Sequence, residues 1–194
     1  TKTHALTPSN PHLSAEEILA MIAEEDTSEH GFRQLMEKYQ ERLYRHIRRL
    51  VLDHEDANDV LQNCFIKVYR SIGGFRQQSK LYTWLYRIAT NESITFLKKK
   101  RRRRTAALDG DTLSIAEQLR ADPYFNGNDT QRRLQEALHQ LPDKQRIVFN
   151  LRYFEELSYR EMSKVLDTSV GALKASYHHA VKKIERFFRE AEIR

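Results

Sequence analysis

The sequence predicts an all-α protein of two helical domains, an N-terminal helical bundle and a C-terminal helix-turn-helix domain, joined by a flexible linker. Apolar residues recur at three-and-four spacing through most of the 194 residues, which is the period of a helix with one buried face. Strand-like alternation is missing, and the helical pattern is lost only between residues 105 and 129. We therefore expect one domain at residues 14–104, a linker at residues 105–129 and a second domain at residues 130–194.

Four helices are expected in the first domain. Ser14 and Glu17 form a capping-box pattern ahead of a short, acidic, amphipathic helix. The second helix is predicted to bury Phe32, Leu35, Met36, Tyr39, Leu43, Ile47, Leu50 and Val51. The third is predicted to bury Ala57, Val60, Leu61, Cys64, Phe65, Val68 and Ile72. The fourth runs from about Lys80 to Lys100 and has Leu81, Trp84, Leu85, Ile88 and Ala89 on its core side.

Residues 105–129 are rich in turn-forming pairs such as Asp122-Pro123 and Asn126-Gly127. A flexible linker of this length has a relaxed span of about 25 to 30 Å and reaches at most about 80 to 90 Å when fully extended. We expect the two domains to lie close together in the free protein.

The second domain contains a helix, a tight turn and another helix between residues 158 and 188. Ser158 and Glu161 can cap the first of these helices, and Thr168 or Ser169 can cap the second. The second helix presents Gly171, Lys174, Ala175, His178 and Lys182 on the face opposite its apolar side. Small and basic residues on an exposed helix suit a reader of the DNA major groove. An ordinary helical hairpin with one basic face is the alternative interpretation.

Charge is distributed in blocks. The net charge is +6, but residues 31–104 carry 18 basic and 7 acidic side chains, and residues 131–194 carry 13 basic and 9 acidic ones. The segment between them is acidic. Basic blocks attract polyanions, of which nucleic acid is the commonest soluble one. Residues 98–104 are seven consecutive Lys and Arg side chains, and binding through them should depend strongly on salt.

Aromatic and basic side chains are interleaved in residues 75–87. Aromatic faces can stack on unpaired bases while cations follow the phosphates. Trp84 is more easily explained as a core residue beside Leu81 and Leu85, whereas Phe75, Tyr82 and Tyr86 remain candidates for base contacts.

Other function classes find little support. The sequence has neither a Gly-rich phosphate loop nor paired metal-ligand spacing, so we expect no catalytic residue, no metal and no cofactor. Cys64 is the single cysteine and lies on an apolar stripe, where it fills the core. No segment is long and apolar enough to cross a bilayer. We expect a cytoplasmic protein that does not insert into membranes.

Three motifs in order resemble the extracytoplasmic-function (ECF) group of RNA polymerase sigma factors. They are residues 56–69 (DANDVLQNCFIKVY), residues 82–91 (YTWLYRIATN) and residues 141–184, which run from Leu141-Pro142 through the helix-turn-helix. The resemblance implies a two-domain initiation factor that binds core RNA polymerase and promoter DNA, together with regulation by a dedicated anti-sigma factor. The competing hypothesis is a freestanding helix-turn-helix regulator, which would need its own dimer interface and would not use a single-strand-binding cluster.

The resemblance also implies three groups of functional residues. The residues expected to bind core polymerase are Asp56, Asp59, Gln62, Asn63, Phe65 and Ile66. Those expected to bind the -10 element are Phe75, Arg76, Gln77, Ser79, Lys80, Tyr82, Trp84, Tyr86, Arg87 and Asn91. Those expected to bind the -35 element are Ser169, Gly171, Ala172, Lys174, Ala175, His178, His179 and Lys182.

Overall fold

The computed structural model describes residues 13–107, 114–123, 125 and 127–192. Within these ranges there are nine α-helices and no strand, which confirms the all-α prediction. The helices are α1 (Ala15–Ala23), α2 (Ser28–Val51), α3 (His54–Ser71), α4 (Leu81–Ala107), α5 (Ile115–Ala121), α6 (Asp129–His139), α7 (Asp143–Tyr153), α8 (Tyr159–Leu166) and α9 (Val170–Glu192). We call α1–α4 the N-terminal module and α6–α9 the C-terminal module.

The start of α1 is fixed by the predicted capping box. The backbone N–H of Ser14 donates to Glu17 Oε2 at 2.6 Å, and the N–H of Glu17 donates to Ser14 Oγ at 3.1 Å. Two N–H groups that have no partner within the helix are thereby satisfied. The same reciprocal pair occurs between Ser158 and Glu161 at the start of α8.

Helices α2 and α3 pack through their apolar stripes. Leu35, Leu43, Ile47 and Leu50 of α2 are at most 1% exposed, as their spacing predicts. Phe32 and Met36, at the beginning of that stripe, are only partly buried. Two polar residues of α2, Gln34 and His46, are also buried. The periodicity of apolar residues does not indicate them.

Helix α4 is buried on more than its predicted side. Leu81, Leu85 and Ala89 are buried as expected, while Trp84 and Ile88 are partly buried. The structure also buries four residues that the apolar pattern does not indicate, namely Thr83, Tyr86, Thr90 and Ser93. Thr90 meets His46 of α2, and Tyr86 meets Glu155 of the C-terminal module, so α4 is covered by both modules.

The segment expected to be the linker contains regular structure. Helix α4 continues to Ala107, and α5 occupies Ile115–Ala121 behind a capping box formed by Ser114 and Glu117. Leu119 of α5 is 3% exposed, and Asp122 accepts a hydrogen bond from Arg48 of α2. Part of this segment is therefore held against the N-terminal module.

The C-terminal module has a helix-turn-helix in α8 and α9. Asp167 adopts left-handed backbone angles (φ 48°, ψ 49°) and ends α8, and Ser169 Oγ accepts the N–H of Ala172 at 3.3 Å at the start of α9. Leu138, Phe149 and Ala180 form a small core between α6, α7 and α9. This packing fixes the direction of α9.

The two modules share one hydrophobic core. Ile147, Val148 and Leu151 of α7, with Met162 and Val165 of α8, belong to the same buried cluster as the core of α2, α3 and α4. Contacts between α7 and α2 and between α8 and α4 form the junction. The structure is therefore a closed arrangement of the two modules.

Helix α1 approaches α2 closely at Gly31. A Cβ atom at this position would lie 2.8 Å from Met21 Cβ and 2.9 Å from the backbone nitrogen of Ile22. The absence of a side chain thus permits the close packing of the two helices.

Replacing Gly31 with Ala is expected to lower the free energy of unfolding by about 1 to 2 kcal/mol, since overpacking outweighs the helix propensity that Ala gains. Gly171→Ala is the matched control because its added Cβ would have no neighbour within 4 Å. That variant should be unchanged or up to about 1 kcal/mol more stable. Urea denaturation measures both, and equal shifts in the two variants would contradict the close-approach argument.

Candidate functional site

An open groove of about 860 Å³ lies between α2 and α3. It is lined by four of the six residues predicted to bind polymerase, namely Asp59, Gln62, Phe65 and Ile66. Phe65 is 6% exposed and forms part of the floor, whereas Ile66 is 42% exposed. An accessible apolar groove with a polar rim has the composition of a protein-binding surface.

The other two predicted residues lie outside this groove. Asp56 forms an ion pair with Lys100 of α4 and does not line the groove. Asn63 is exposed but does not line the groove. On a helix, Asn63 is rotated about 100° from Gln62, which explains why the two neighbours do not share one surface.

Tyr69 belongs to the groove and was not among the predicted residues. Its ring is 64% exposed and makes an edge contact with Phe32 of α2, with the centroids 5.0 Å apart. Tyr69 follows Asp59, Gln62 and Ile66 at three-and-four spacing. This spacing on the polar side of α3 could have identified it.

The predicted -10 residues separate into two stripes of α4. Trp84, Arg87 and Asn91 follow one another at three-and-four spacing, and the side chains of Arg87 and Asn91 are exposed. The ring of Phe75, from the preceding loop, lies 5.1 Å from that of Trp84. Together with exposed Arg76 and Gln77, this stripe offers aromatic faces and cations to a single strand.

The other stripe, Tyr82 and Tyr86, faces the C-terminal module. Tyr86 is 2% exposed and donates its hydroxyl hydrogen to Glu155, and burial raises the pKa of its phenol. Tyr82 donates to Glu161 of α8. Tyr86 stays a predicted -10 residue, and in this arrangement the C-terminal module covers it.

The remaining two members of the -10 group lie just before α4. Ser79 is partly buried. The Lys80 ammonium group lies 5.4 Å from the centroid of the Tyr82 ring and 3.5 Å from a carboxylate oxygen of Glu161. Lys80 is therefore held at the junction between the two modules.

The predicted -35 residues form one exposed surface. All eight are exposed on the turn before α9 and along the N-terminal half of α9. Space is open around Gly171, where an added Cβ would meet nothing within 4 Å. Lys174, His178 and Lys182 follow at four-residue spacing, so clearance for the DNA backbone is combined with a line of donors.

The basic run at residues 98–104 is partly paired. Lys100 pairs with Asp56, and Arg101 donates to Asp143 of α7 at 2.6 Å. Lys98, Lys99, Arg102 and Arg103 are exposed. These four cations extend the positive surface along the C-terminal half of α4.

A second apolar groove, of about 570 Å³, lies on the C-terminal module between α6, α7 and α9. Phe149, Tyr177 and Phe188 form its aromatic wall, with Tyr153 55% exposed at its edge. The rings of Phe149 and Tyr177 are stacked, with the centroids 5.7 Å apart. The groove lies on a different surface of α9 from the basic residues.

The described residues give little support for redox, nucleophilic or metal chemistry. Burial raises the pKa of the Cys64 thiol to about 12, which keeps it protonated. Among the residues that the structure describes, no cluster of three or more His, Cys, Asp or Glu side chains is placed to hold a metal ion. None of the helices in the described ranges has the length and apolarity required to span a membrane.

Two family models match the chain in the order of its modules. Sigma-70 region 2 matches residues 35–103, and Sigma-70, region 4 matches residues 131–184. The chain is 34% identical over 167 residues to the RNA polymerase sigma-H factor of Pseudomonas aeruginosa, covering 80% of this chain and 85% of that protein. It is 33% identical over 163 residues to the ECF RNA polymerase sigma-E factor of Haemophilus influenzae, covering 80% and 86%.

Two solved structures have the same fold. The sigma factor RpoE in complex with the anti-sigma factor NepR from Bartonella quintana matches with a TM-score of 0.69 and 22% identity, over 81% of this chain and 96% of that chain. CnrH in complex with the cytosolic domain of CnrY matches with a TM-score of 0.65 and 22% identity, over 89% and 96%.

Proposed function

Since this chain belongs to the sigma-70 family of RNA polymerase sigma factors, in the ECF group, we propose that its two modules divide promoter recognition between them. The chain is a sigma factor that binds core RNA polymerase and directs it to promoters. Under this proposal, residues 14–104 bind the polymerase and the -10 element, residues 105–129 connect, and residues 130–194 bind the -35 element. Sigma factors are not enzymes, so the polymerase performs the chemistry, and we place both in the cytoplasm.

The observation that carries this proposal is that one chain has two separate exposed surfaces whose residues suit nucleic-acid binding. One combines aromatic and basic residues around the start of α4, and the other is the basic exposed surface of α9. A freestanding regulator needs only the second. The region 2 match on the N-terminal module therefore favours initiation over simple duplex binding.

The N-terminal module is proposed to act in two steps. The groove between α2 and α3 docks on the polymerase through Ile66 and Tyr69, which remain exposed for that contact. Residues around Phe75, Trp84 and Asn91 then take an unpaired base of the -10 element. Stacking of a base on an aromatic side chain contributes about 1 to 3 kcal/mol, which offsets part of the cost of separating the strands.

The C-terminal module is proposed to hold duplex DNA while this happens. Lys174, His178 and Lys182 can donate to base edges and phosphates when α9 lies in the major groove. The exposed cations at the end of α4 add contacts with phosphates that carry no sequence information. Affinity for the promoter should therefore fall as salt is raised.

An anti-sigma factor is proposed as the regulator. One structural neighbour is the sigma factor RpoE bound to the anti-sigma factor NepR, and this chain has apolar grooves on both modules to which such an inhibitor could bind. Purification of the intact chain from native cells tests this idea. Recovery of polymerase subunits without any inhibitory partner would leave control to expression alone.

The assignment of the -10 surface is tested by transcription with core polymerase and a promoter mapped from transcript starts. We expect the double variant Tyr82→Ala and Asn91→Ala to open the promoter at least about tenfold more slowly, because it loses a stacking ring and a polar contact. Permanganate reactivity of unpaired thymines measures opening.

Thr95→Ala is the matched control, since Thr95 is exposed one turn beyond Asn91 and outside the proposed surface. Opening at an unchanged rate in the double variant would refute the placement of the -10 surface. Failure of the unaltered chain to support any transcript would refute the function itself.

A further inference from the structure

Two carboxylates of the C-terminal module bind polar groups of the N-terminal module where the modules meet. The side chain of Glu155 is 5% exposed, and its Oε1 accepts a hydrogen bond from Arg49 Nη1 of α2 at 2.8 Å. Its other oxygen accepts from the hydroxyl of Tyr86 in α4. The Arg49 guanidinium also lies 4.1 Å from the ring centroid of Phe154. One carboxylate thus joins α2 and α4 to the loop after α7.

The second carboxylate, Glu161, lies at the start of α8. Its Oε2 accepts the backbone N–H of Ser158 at 2.9 Å, and its Oε1 accepts from the hydroxyl of Tyr82 and lies 3.5 Å from the ammonium nitrogen of Lys80. Partial burial acts to raise the pKa of Glu161, but the hydrogen bonds from Tyr82 and Ser158 outweigh it and lower the pKa to about 2. The group is ionised at neutral pH.

A third contact completes the junction. Lys164 of α8 donates from its ammonium group to the backbone oxygen of Gln78 at 3.0 Å. Gln78 lies in the loop that precedes α4, among the residues proposed to take the -10 strand. Helix α8 therefore contacts the loop as well as Tyr82 in the first turn of α4.

In the closed arrangement, Tyr82 and Lys80 bind Glu161 and are not free to bind a DNA single strand. Glu161 is an anion placed between a tyrosine hydroxyl and a lysine ammonium, which is the environment that a DNA phosphate oxygen would need. Tyr86 is buried under Glu155. The basic surface of α9 and the Arg87 and Asn91 stripe of α4 remain exposed in the same arrangement, so the masked part of the -10 surface is the stripe of Tyr82 and Tyr86.

We propose that this junction is an autoinhibitory latch, in which Glu155 and Glu161 hold the C-terminal module over the Tyr82 and Tyr86 stripe of the -10 surface until the modules separate. The inference rests on the function proposed above. Apolar residues of α7 and α8 bury themselves against the N-terminal module, so the closed form is the resting state. The ionic contacts fix the position of α8 along α4. Their charged groups become fully hydrated again when the modules separate.

The variants Glu155→Gln and Glu161→Gln test the latch in the free, full-length chain. Gln keeps the shape of the side chain, and at position 161 it also preserves the capping box. Glu156→Gln is the matched control, because Glu156 is the exposed neighbour in the same loop and loses the same charge. Small-angle scattering reports separation, and a fluorescein-labelled oligothymidylate reports access to the -10 surface.

We expect Glu155→Gln to increase the radius of gyration and to raise the affinity for oligothymidylate about tenfold, because it leaves the partly buried Arg49 without a counterion in the closed form. Glu161→Gln should act in the same direction and less strongly. Glu156→Gln should match the unaltered chain in both measurements. Equal results for Glu155→Gln and Glu156→Gln would overturn the proposal.

Substitution of Arg49, the partner of Glu155, distinguishes release of the latch from a failure to fold. Arg49→Gln should also open the chain, since it leaves Glu155 buried and unpaired. The double variant Arg49→Gln and Glu155→Gln has neither charge, so it should be more closed than either single variant. A protein damaged by loss of packing would become worse in the double variant, and that result would also count against the latch.

The latch and the proposed function fail in different experiments. If the unaltered chain initiates transcripts but Glu155→Gln remains compact and binds oligothymidylate no better, the latch is wrong and the function stands. If the unaltered chain initiates none, the function is wrong. The oligothymidylate measurement decides the latch in either case, since it requires no polymerase.

Discussion

Lowering the pH from 7 to 5 is expected to reduce the free energy of unfolding by about 4 kcal/mol, mainly through two buried histidines. Burial, together with the positive charge of Arg49, lowers the pKa of His46 from 6.5 to about 3. Burial and the charge of Arg146 lower the pKa of His139 from 6.5 to about 3 as well. Both rings are therefore neutral in the folded chain at pH 5.

His46 has an acidic neighbour that does not reverse this shift. Its Nδ1 lies 3.9 Å from Glu155 Oε1, beyond hydrogen-bond distance, and Arg49 already neutralises that carboxylate. Its Nε2 is 2.9 Å from Thr90 Oγ1, within hydrogen-bond distance. The contact with Glu155 is accordingly not an ion pair at neutral pH.

The direction of this pH effect on the free energy of unfolding follows from proton binding. In the unfolded chain both imidazoles regain an ordinary pKa and take up protons below about pH 6.5, whereas the folded chain resists protonation until about pH 3. The unfolded state binds more protons in this window, so stability falls as the pH falls. Each ring contributes about 2 kcal/mol of the loss at pH 5.

Urea denaturation at the two pH values measures the effect. His46→Gln and His139→Gln should each remove about half of the pH-dependent difference, and the double variant should remove most of it. The difference between pH values is the relevant quantity, because either substitution also changes absolute stability. An unchanged difference in the double variant would show that other groups control acid sensitivity.

The second large effect is expected in the groove between α2 and α3. Replacing Ile66 with Asp and Tyr69 with Ala should weaken binding to core polymerase by about a hundredfold, since exposed apolar and aromatic anchors dominate such interfaces. Ile66→Asp also brings a charge into an apolar contact, where it loses hydration. Both side chains are exposed, so the fold should tolerate the change.

Fluorescence anisotropy with labelled chain and core polymerase measures this affinity. Thr95→Asp is the control, because it introduces the same charge at an exposed position of α4 outside the groove. Circular dichroism should show equal helix content in all variants. A loss of less than about twofold in the double variant would place the main polymerase contact elsewhere.

Features set by neighbouring residues could be predicted from the sequence. The capping boxes of α1 and α8 and the buried stripe of α2 depend on spacings of three and four residues within one helix. Helix α5 has the same kind of signal in Ser114 and Glu117, but the turn-forming residues around it favoured a linker. Tyr69 also continues a three-and-four series that starts at Asp59.

Burial and hydrogen bonds at the junction between the modules could not be predicted from residue spacing within one helix. Tyr86 and Glu155 are 69 residues apart in the sequence, and Arg49 and Glu155 are 106 apart. Periodicity along α4 cannot show that a second module covers it. The burial of Tyr86, His46 and His139 therefore emerges only when the two modules are placed together.

Helix α5 also limits the length of the connection between the two modules. A helical residue advances about 1.5 Å along the chain, and an extended one about 3.4 Å. Melting the seven residues of α5 and releasing Leu119 and Asp122 from the N-terminal module would lengthen the connection by about 13 Å, roughly four base pairs of duplex. Tolerance for unequal spacing between promoter elements would then be limited by the stability of one short helix.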